Sequence, residues 1–318
     1  MSANAVEPTV ATDPVRRTPP PRWLVLVAFA IVYGLWGSTY LGIRIAIDSI
    51  PPLLMGGARF LAAGIVLYTI MRMRGAQRPK FIHWKNAAVV GALLLLIGNG
   101  GLTWAEQTVP SNIAALVIAS TPMWIIIFDW LRPNGRRPHP SVFAGLILGF
   151  TGVGLIIASR DRLGHSVADP LGAAILLVAA VSWAAGSVFS RHSRQPESAL
   201  LAVAMQMIAG GSLLLMFGAA AGELRGFDFH RITPESGYAF LYLLLCGSLI
   251  GFTAYVWLLQ VSTPARVSTY AFVNPLIAVV LGRVFRHEVL PDSVLLAGAL
   301  IVAAVGLIVL RGGVQRAR

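Results

Sequence analysis

The chain has 318 residues, 56% of them hydrophobic and 12% charged, with a net charge of +12 and a pI near 11.0. Soluble domains are about a quarter charged, so this composition excludes an ordinary soluble protein. The charges are crowded between long apolar runs, and no aromatic-basic binding motif accompanies them. The basic excess is therefore not a nucleic-acid footprint.

In chain order, residues 1–22 are rich in Pro, Ala, Thr and Arg and read as a disordered tail. They do not read as a cleaved leader, because no apolar stretch with a cleavage site follows a short basic start. Eight long runs contain no Asp, Glu, Lys or Arg: 23–43, 86–105, 107–128, 138–159, 170–190, 198–222, 236–265 and 293–310. Two more, 52–71 and 267–285, are interrupted by Arg59 and Arg283. A helix crossing a bilayer needs about 20 apolar residues at 1.5 Å rise each. The reading is an all-α membrane protein of ten transmembrane helices joined by short loops. The single cysteine, Cys246, lies in an apolar run, so no disulfide forms within the chain, and no metal or cofactor is expected.

An even number of spans puts both termini on one side. With that side in the cytoplasm, 17 of the 25 Lys and Arg fall in inner segments and 7 in outer ones, Arg59 being intramembrane. This bias is the positive-inside rule with both ends inside. The basic pI thus reports orientation and attraction to anionic lipid.

The chain also repeats itself. Trp104-x2-Gln107-x14-Pro122 recurs as Trp257-x2-Gln260-x14-Pro275, 153 residues later. At the same offset Gly98 falls on Gly251, Pro138 on Pro291 and Ala144-Gly145 on Ala297-Gly298. The first spans align at 147, where Trp36 falls on Trp183 and Arg59 on Gln206; a longer loop at 222–235 absorbs the difference. Residues 23–159 and 160–311 are thus expected to be two five-helix repeats, with 312–318 a cytoplasmic tail. Five is odd, so the second copy enters the membrane in the opposite sense, an inverted pair with its solute site between the copies.

Several motifs carry a family likeness. Leu35-Trp-Gly-Ser-Thr-Tyr-Leu41, Pro51-Pro-Leu, Ala58-Arg-Phe-Leu-Ala-Ala-Gly64, Gly98-Asn-Gly100, Pro110-Ser-Asn-Ile-Ala-Ala115, Ser182-Trp-Ala-Ala-Gly-Ser187 and Phe272-Val-Asn-Pro275 resemble the EamA-type branch of the drug/metabolite transporter superfamily, in particular its YedA-like exporters. The likeness runs from about residue 23 to 310. It implies a ten-helix carrier of the inner membrane, commonly an exporter of amino acids, metabolites or drugs. One departure concerns the Gly-Glu pair that members often carry after the fourth span of each half. Glu288 follows His287 in the second half, whereas the matching first-half position is Gly135.

Candidate site residues are picked out by polarity inside spans. Tyr33, Trp36 and Tyr40 share one helix face, and Trp183 and Ser187 another. An aromatic ring with a polar tip inside a span needs a partner or a cavity; core packing is the competing reading. Asn99, Thr103 and Glu106 make a stripe at i, i+4, i+7 on span three, and Thr253, Trp257 and Gln260 repeat the spacing on span eight. Asn274 and Tyr270 share a face on span nine. Such groups either bond neighbouring helices or line a cavity. Pro122 and Pro275 lie within spans, where proline frees the carbonyl four residues back. They are static kinks or hinged bends, and their recurrence favours bends. Arg59 is the sharpest signal, since an intramembrane charge is a functional hypothesis by default. It is expected to snorkel outwards, pair with Glu106, or meet a substrate carboxylate. The six histidines are expected in loops, and no acid lies near the middle of a span, so the usual proton relay is missing, Glu106 being the only weak candidate for one.

The function expected from these residues is alternating-access transport of a small amphipathic or zwitterionic solute, an amino acid or drug-like metabolite. Export is implied by the resemblance alone. An intramembrane enzyme lacks a nucleophile-base set; a small-solute channel and a non-transporting scaffold are the remaining alternatives. The expected partners are the solute and the lipid bilayer, with the chain a monomer or weak dimer.

Overall fold

The structure, a computed structural model, describes residues 20–132, 140–158, 169–262, 267, 270–286 and 292–312. Most of the expected amino-terminal tail, the stretch 313–318, and Gly135, Pro138, His287, Glu288 and Pro291 lie outside the described residues. Ten helices run through the rest: α1 Arg22–Ala46, α2 Pro52–Met73, α3 Phe81–Ala105, α4 Ser111–Leu131, α5 Pro140–Ala158, α6 Pro170–His192, α7 Ala199–Ala220, α8 Pro234–Val261, α9 Tyr270–Arg286 and α10 Asp292–Gly312. Seven are long and apolar enough to cross a bilayer, while α5, α9 and α10 carry shorter apolar stretches among the described residues. At 25 residues, α1 is about 37 Å long, more than the roughly 30 Å of a hydrocarbon core.

Local chemistry fixes the helix ends. Prolines at the first turn start α2, α6 and α8, where the missing N–H costs nothing. The orphan N–H groups of α2 are met from the other repeat: Leu53 and Leu54 donate to the Glu223 carboxylate at 3.1 and 2.8 Å. Asp169 Oδ2 accepts from Gly172 N at 2.8 Å and so caps α6. Gly75 and Gly222, 147 residues apart, close α2 and α7 with φ of +82° and +87°, where a side chain would be strained. His83 and His192 are not in loops: they occupy the first turn of α3 and the last residue of α6, at span ends where a polar ring meets solvent.

Packing follows the repeat. Helices α2 and α7 are equivalent and pack antiparallel, with Gly57 against Leu215, Gly64 against Ile208 and Gly211 against Leu61. A Cβ at Gly211 would lie 2.5 Å from Leu61 N, so the two backbones are in contact and only glycine fits. Helices α5 and α10, also equivalent, run antiparallel as well, with Gly149 beside Ala304 and Gly152 beside Ala297. Helix α1 packs on α9 as α6 packs on α4, and α2 on α8 as α7 on α3. Exchanging the repeats leaves this pattern of neighbours unchanged.

Both third spans widen at the same place. The segments Gly91–Asn99 of α3 and Leu243–Phe252 of α8 are π-helical, about 153 residues apart. A π turn displaces carbonyls from the i to i−4 ladder and is common at functional sites. Here the first span of the other repeat takes them up: Ser182 Oγ of α6 donates to Leu93 O at 2.8 Å, and Trp36 Nε1 of α1 to Gly247 O at 3.4 Å.

The two prolines do not behave alike. Helix α4 breaks at Ala119–Ser120, so Pro122 falls in the first turn of its second half. There it removes no intrahelical bond, and the Ile118 carbonyl it would have orphaned accepts from Thr121 Oγ1 at 2.6 Å. Pro275 sits inside a continuous α9. The expectation of matching kinks is thereby corrected: one proline marks a break and the other lies within an unbroken helix.

Candidate functional site

Trp36 and Trp183, equivalent in the repeat, meet edge to face at 5.6 Å between ring centroids. Each indole lies on a glycine of the opposite repeat. A Cβ at Gly251 would come within 2.6 Å of Trp36 Nε1, and one at Gly98 within 3.0 Å of Trp183 Cε3. The Gly98/Gly251 match in the sequence thus has a steric cause. Tyr255 and Tyr270 complete an aromatic cluster, with Tyr255 at 4.8 Å from Trp36 and 5.9 Å from Trp183, and Tyr270 at 5.4 Å from Trp36. The Tyr255 hydroxyl accepts from Trp183 Nε1 at 3.2 Å and bonds Ser187 Oγ at 2.9 Å, which satisfies these polar tips inside the bundle.

Beside this cluster lies a cavity of about 640 Å³, its open mouth included, between the two repeats. Trp36, Tyr40, Arg59, Asn99, Trp183, Tyr270 and Asn274 line it. Arg59 is 2% exposed. Its Nη2 donates to Asn99 Oδ1 at 2.7 Å and its Nη1 to Ser248 Oγ at 3.4 Å, and its guanidinium lies 4.3 Å from the Phe60 ring centroid. These partners are all neutral, and Nε has no hydrogen-bond partner among the described residues. A buried guanidinium held this way presents charge-assisted donors to an anionic group entering the cavity. It does not snorkel. Glu106 is fully buried, and the hydrogen bonds of Arg59 run to Asn99 and Ser248. Asn274, in the amide orientation its surroundings require, donates to Tyr270 O at 3.1 Å and Tyr33 O at 3.2 Å, tying α9 to α1 beside the cavity.

Four expected lining residues lie off the cavity. Tyr33 contributes its carbonyl to Asn274 from behind the wall. Thr103 turns its hydroxyl back to Asn99 O at 2.8 Å. Ser187 is spent on Tyr255 and on Trp183 O. Trp257 packs against the hydrophobic core. In exchange, Thr39, Phe60, Leu102, Ile118 and Phe252 line the cavity unforeseen, and Tyr255 braces it. The repeat offset held a signal for two of them, because Asn99 and Leu102 fall on Phe252 and Tyr255 at 153.

The Glu106 end of the bundle is closely packed among the described residues. Thr103 and Glu106 are fully buried, and Arg44 Nη1 donates to Glu106 O at 2.5 Å. Ser236 Oγ donates to Ile45 O at 2.8 Å, joining α8 to α1. The opposite end carries a second cavity, about 1050 Å³ with its open space, lined by α6, α7, α8 and the connection between α6 and α7, with Arg191, Glu197, Gln206 and Gln260 among its residues.

A model of the EamA-like transporter family matches residues 21–158 and 170–310, one segment per repeat. The chain is 39% identical over 285 residues to the uncharacterized inner membrane transporter YedA of Escherichia coli K12, covering 89% of this chain and 90% of that protein. It is 27% identical to the uncharacterized transporter YvbV of Bacillus subtilis, covering 95% and 96%, and 26% identical to Protein PecM of Dickeya dadantii, covering 85% and 86%. A solved crystal structure, 20% identical, shares the fold at a TM-score of 0.64 over 91% of this chain and 98% of that one.

Proposed function

Because this chain belongs to the EamA-like transporter family, whose members are transporters and not enzymes, we propose that it moves a small amphipathic or zwitterionic solute across the inner membrane. Movement is by alternating access and outward, with both termini in the cytoplasm, as the arginine bias of the loops indicates. The observation that carries the reading is the cavity between the repeats, with buried Arg59 at one side and an aromatic cluster at the other. The guanidinium suits a carboxylate, and ring faces suit an apolar or cationic part. With the Glu106 end as the outside, the close packing there and the cavity at the other end fit an inward-facing state. Arg59 and Glu106 are the charge pair on which the cavity's electrostatics rest, and Pro122 with Pro275 borders its moving parts. No acid lies near the middle of a span, so transport is facilitated diffusion or exchange down a gradient.

A thermal-shift screen of amino acids and metabolites on the purified protein tests the solute class, since a ligand stabilises the folded state by mass action. Saturable uptake of the same solute into proteoliposomes is expected. Uptake that depends on an imposed pH gradient would contradict the coupling, and stabilisation only by inorganic ions would contradict the solute class.

A further inference from the structure

The second cavity contains a polar group without explanation. Gln206 is 1% exposed, lines that cavity, and has no hydrogen-bond partner among the described residues for either Oε1 or Nε2. Burying both ends of an amide unpaired is costly, because each loses its water without a replacement. The position is also informative. At the 147 offset Gln206 stands where Arg59 stands in the first repeat, and at 153 Leu259 stands where Glu106 stands. The second cavity is thus the repeat counterpart of the region around Arg59 and Glu106, with the charge pair replaced by a neutral amide and an alkyl group. Arg191 and Glu197 line it as well, and both are exposed.

We infer that this cavity is a second solute site, selective for a zwitterion that bears a primary carboxamide. Gln206 offers a donor and an acceptor side by side. A carboxylate would satisfy Nε2 and oppose Oε1; an ammonium would do the reverse. A carboxamide satisfies both through two parallel N–H···O bonds. The charged end of the same solute then lies towards Arg191 and Glu197, which offer both signs. A deeply placed charge is disfavoured, since Leu259 supplies no counter-charge where Glu106 does in the other repeat.

The test uses the full chain in nanodiscs, in a Cys246→Ser background, with Gln260→Cys carrying an environment-sensitive fluorophore at the cavity wall. L-glutamine and L-asparagine are expected to give a saturable signal at concentrations at least tenfold below any given by L-glutamate or L-leucine. Gln206→Leu should abolish that preference, and Gln206→Met serves if the leucine variant does not fold. Arg59→Met, which removes the cation of the central cavity, should keep the response, so failure of this site and failure of the transport reading are distinguishable. The absence of a saturable signal, an equal response to L-glutamate, or an unchanged preference in both Gln206 variants would overturn the assignment.

Discussion

Replacing Arg59 by methionine keeps most of the side-chain volume and removes the charge. In the structure this deletes two hydrogen bonds, to Asn99 and Ser248, and the contact with the Phe60 ring. Asn99 Oδ1 and Ser248 Oγ each lose a bond whether or not a ligand is present, which lowers the stability of the free variant; the ligand-dependent loss falls on an anionic solute. Truncating one partner of a buried, hydrogen-bonded charge pair costs about 2–5 kcal/mol. At about 1.4 kcal/mol per tenfold, affinity for a carboxylate-bearing solute should fall at least about thirtyfold. Its uncharged amide analogue, which accepts only a neutral hydrogen bond from the guanidinium, should lose several-fold less affinity than the carboxylate. Arg59→Lys should fall between, because an ammonium keeps the charge without the planar fork. The assay is ligand-induced thermal shift titrated for both analogues, with unfolding of the free variants as a folding control. An Arg59→Met protein that still prefers the carboxylate by the wild-type factor would refute the role given to Arg59.

Three further outcomes rest on the geometry. If Arg59 and Glu106 act as one pair, Arg59→Ala and Glu106→Ala should each impair transport and the double variant should be no worse than either, whereas additive losses would show independence. Gly251→Ala should lower thermal stability more than Gly98→Ala, because its Cβ meets Trp36 at 2.6 Å against 3.0 Å at Trp183. Overpacking of this kind costs about 1–3 kcal/mol, and equal melting temperatures would contradict the account. Glu223→Ala should cost about 0.5–2 kcal/mol of stability by uncapping α2, read from thermal unfolding, while Glu223→Gln, which keeps one acceptor oxygen, should lose less.

Much of this fold is legible in the sequence because a membrane span is a composition as well as a period. Charge-free runs mark eight of the ten helices, and the 153-residue offset marks the repeat. Trp36, Arg59, Asn99 and Asn274 are legible as site residues because polar or amphipathic groups inside apolar runs must be paired or line a cavity. The faces are less legible. The π segments of α3 and α8 add residues to the turn and rotate the remainder of each helix, which a 3.6-residue stripe does not anticipate. The stripe therefore points Trp257 at the cavity, while Tyr255, two residues earlier in an apolar run, is the residue that braces it. The break in α4 is hidden as well. Pro122 signals a disturbance, but that it begins a second half-helix depends on Thr121 taking up the Ile118 carbonyl.

Counterflow in proteoliposomes tests the central claim most directly. Vesicles loaded with an unlabelled solute found by thermal shift are diluted into a trace of the labelled form. A carrier with one cavity between its repeats predicts transient, saturable accumulation of label, accelerated by the internal solute and lost in Arg59→Met. Flux that is linear in concentration and indifferent to internal solute would show a channel, and the absence of any flux from folded, ligand-binding protein would contradict transport itself.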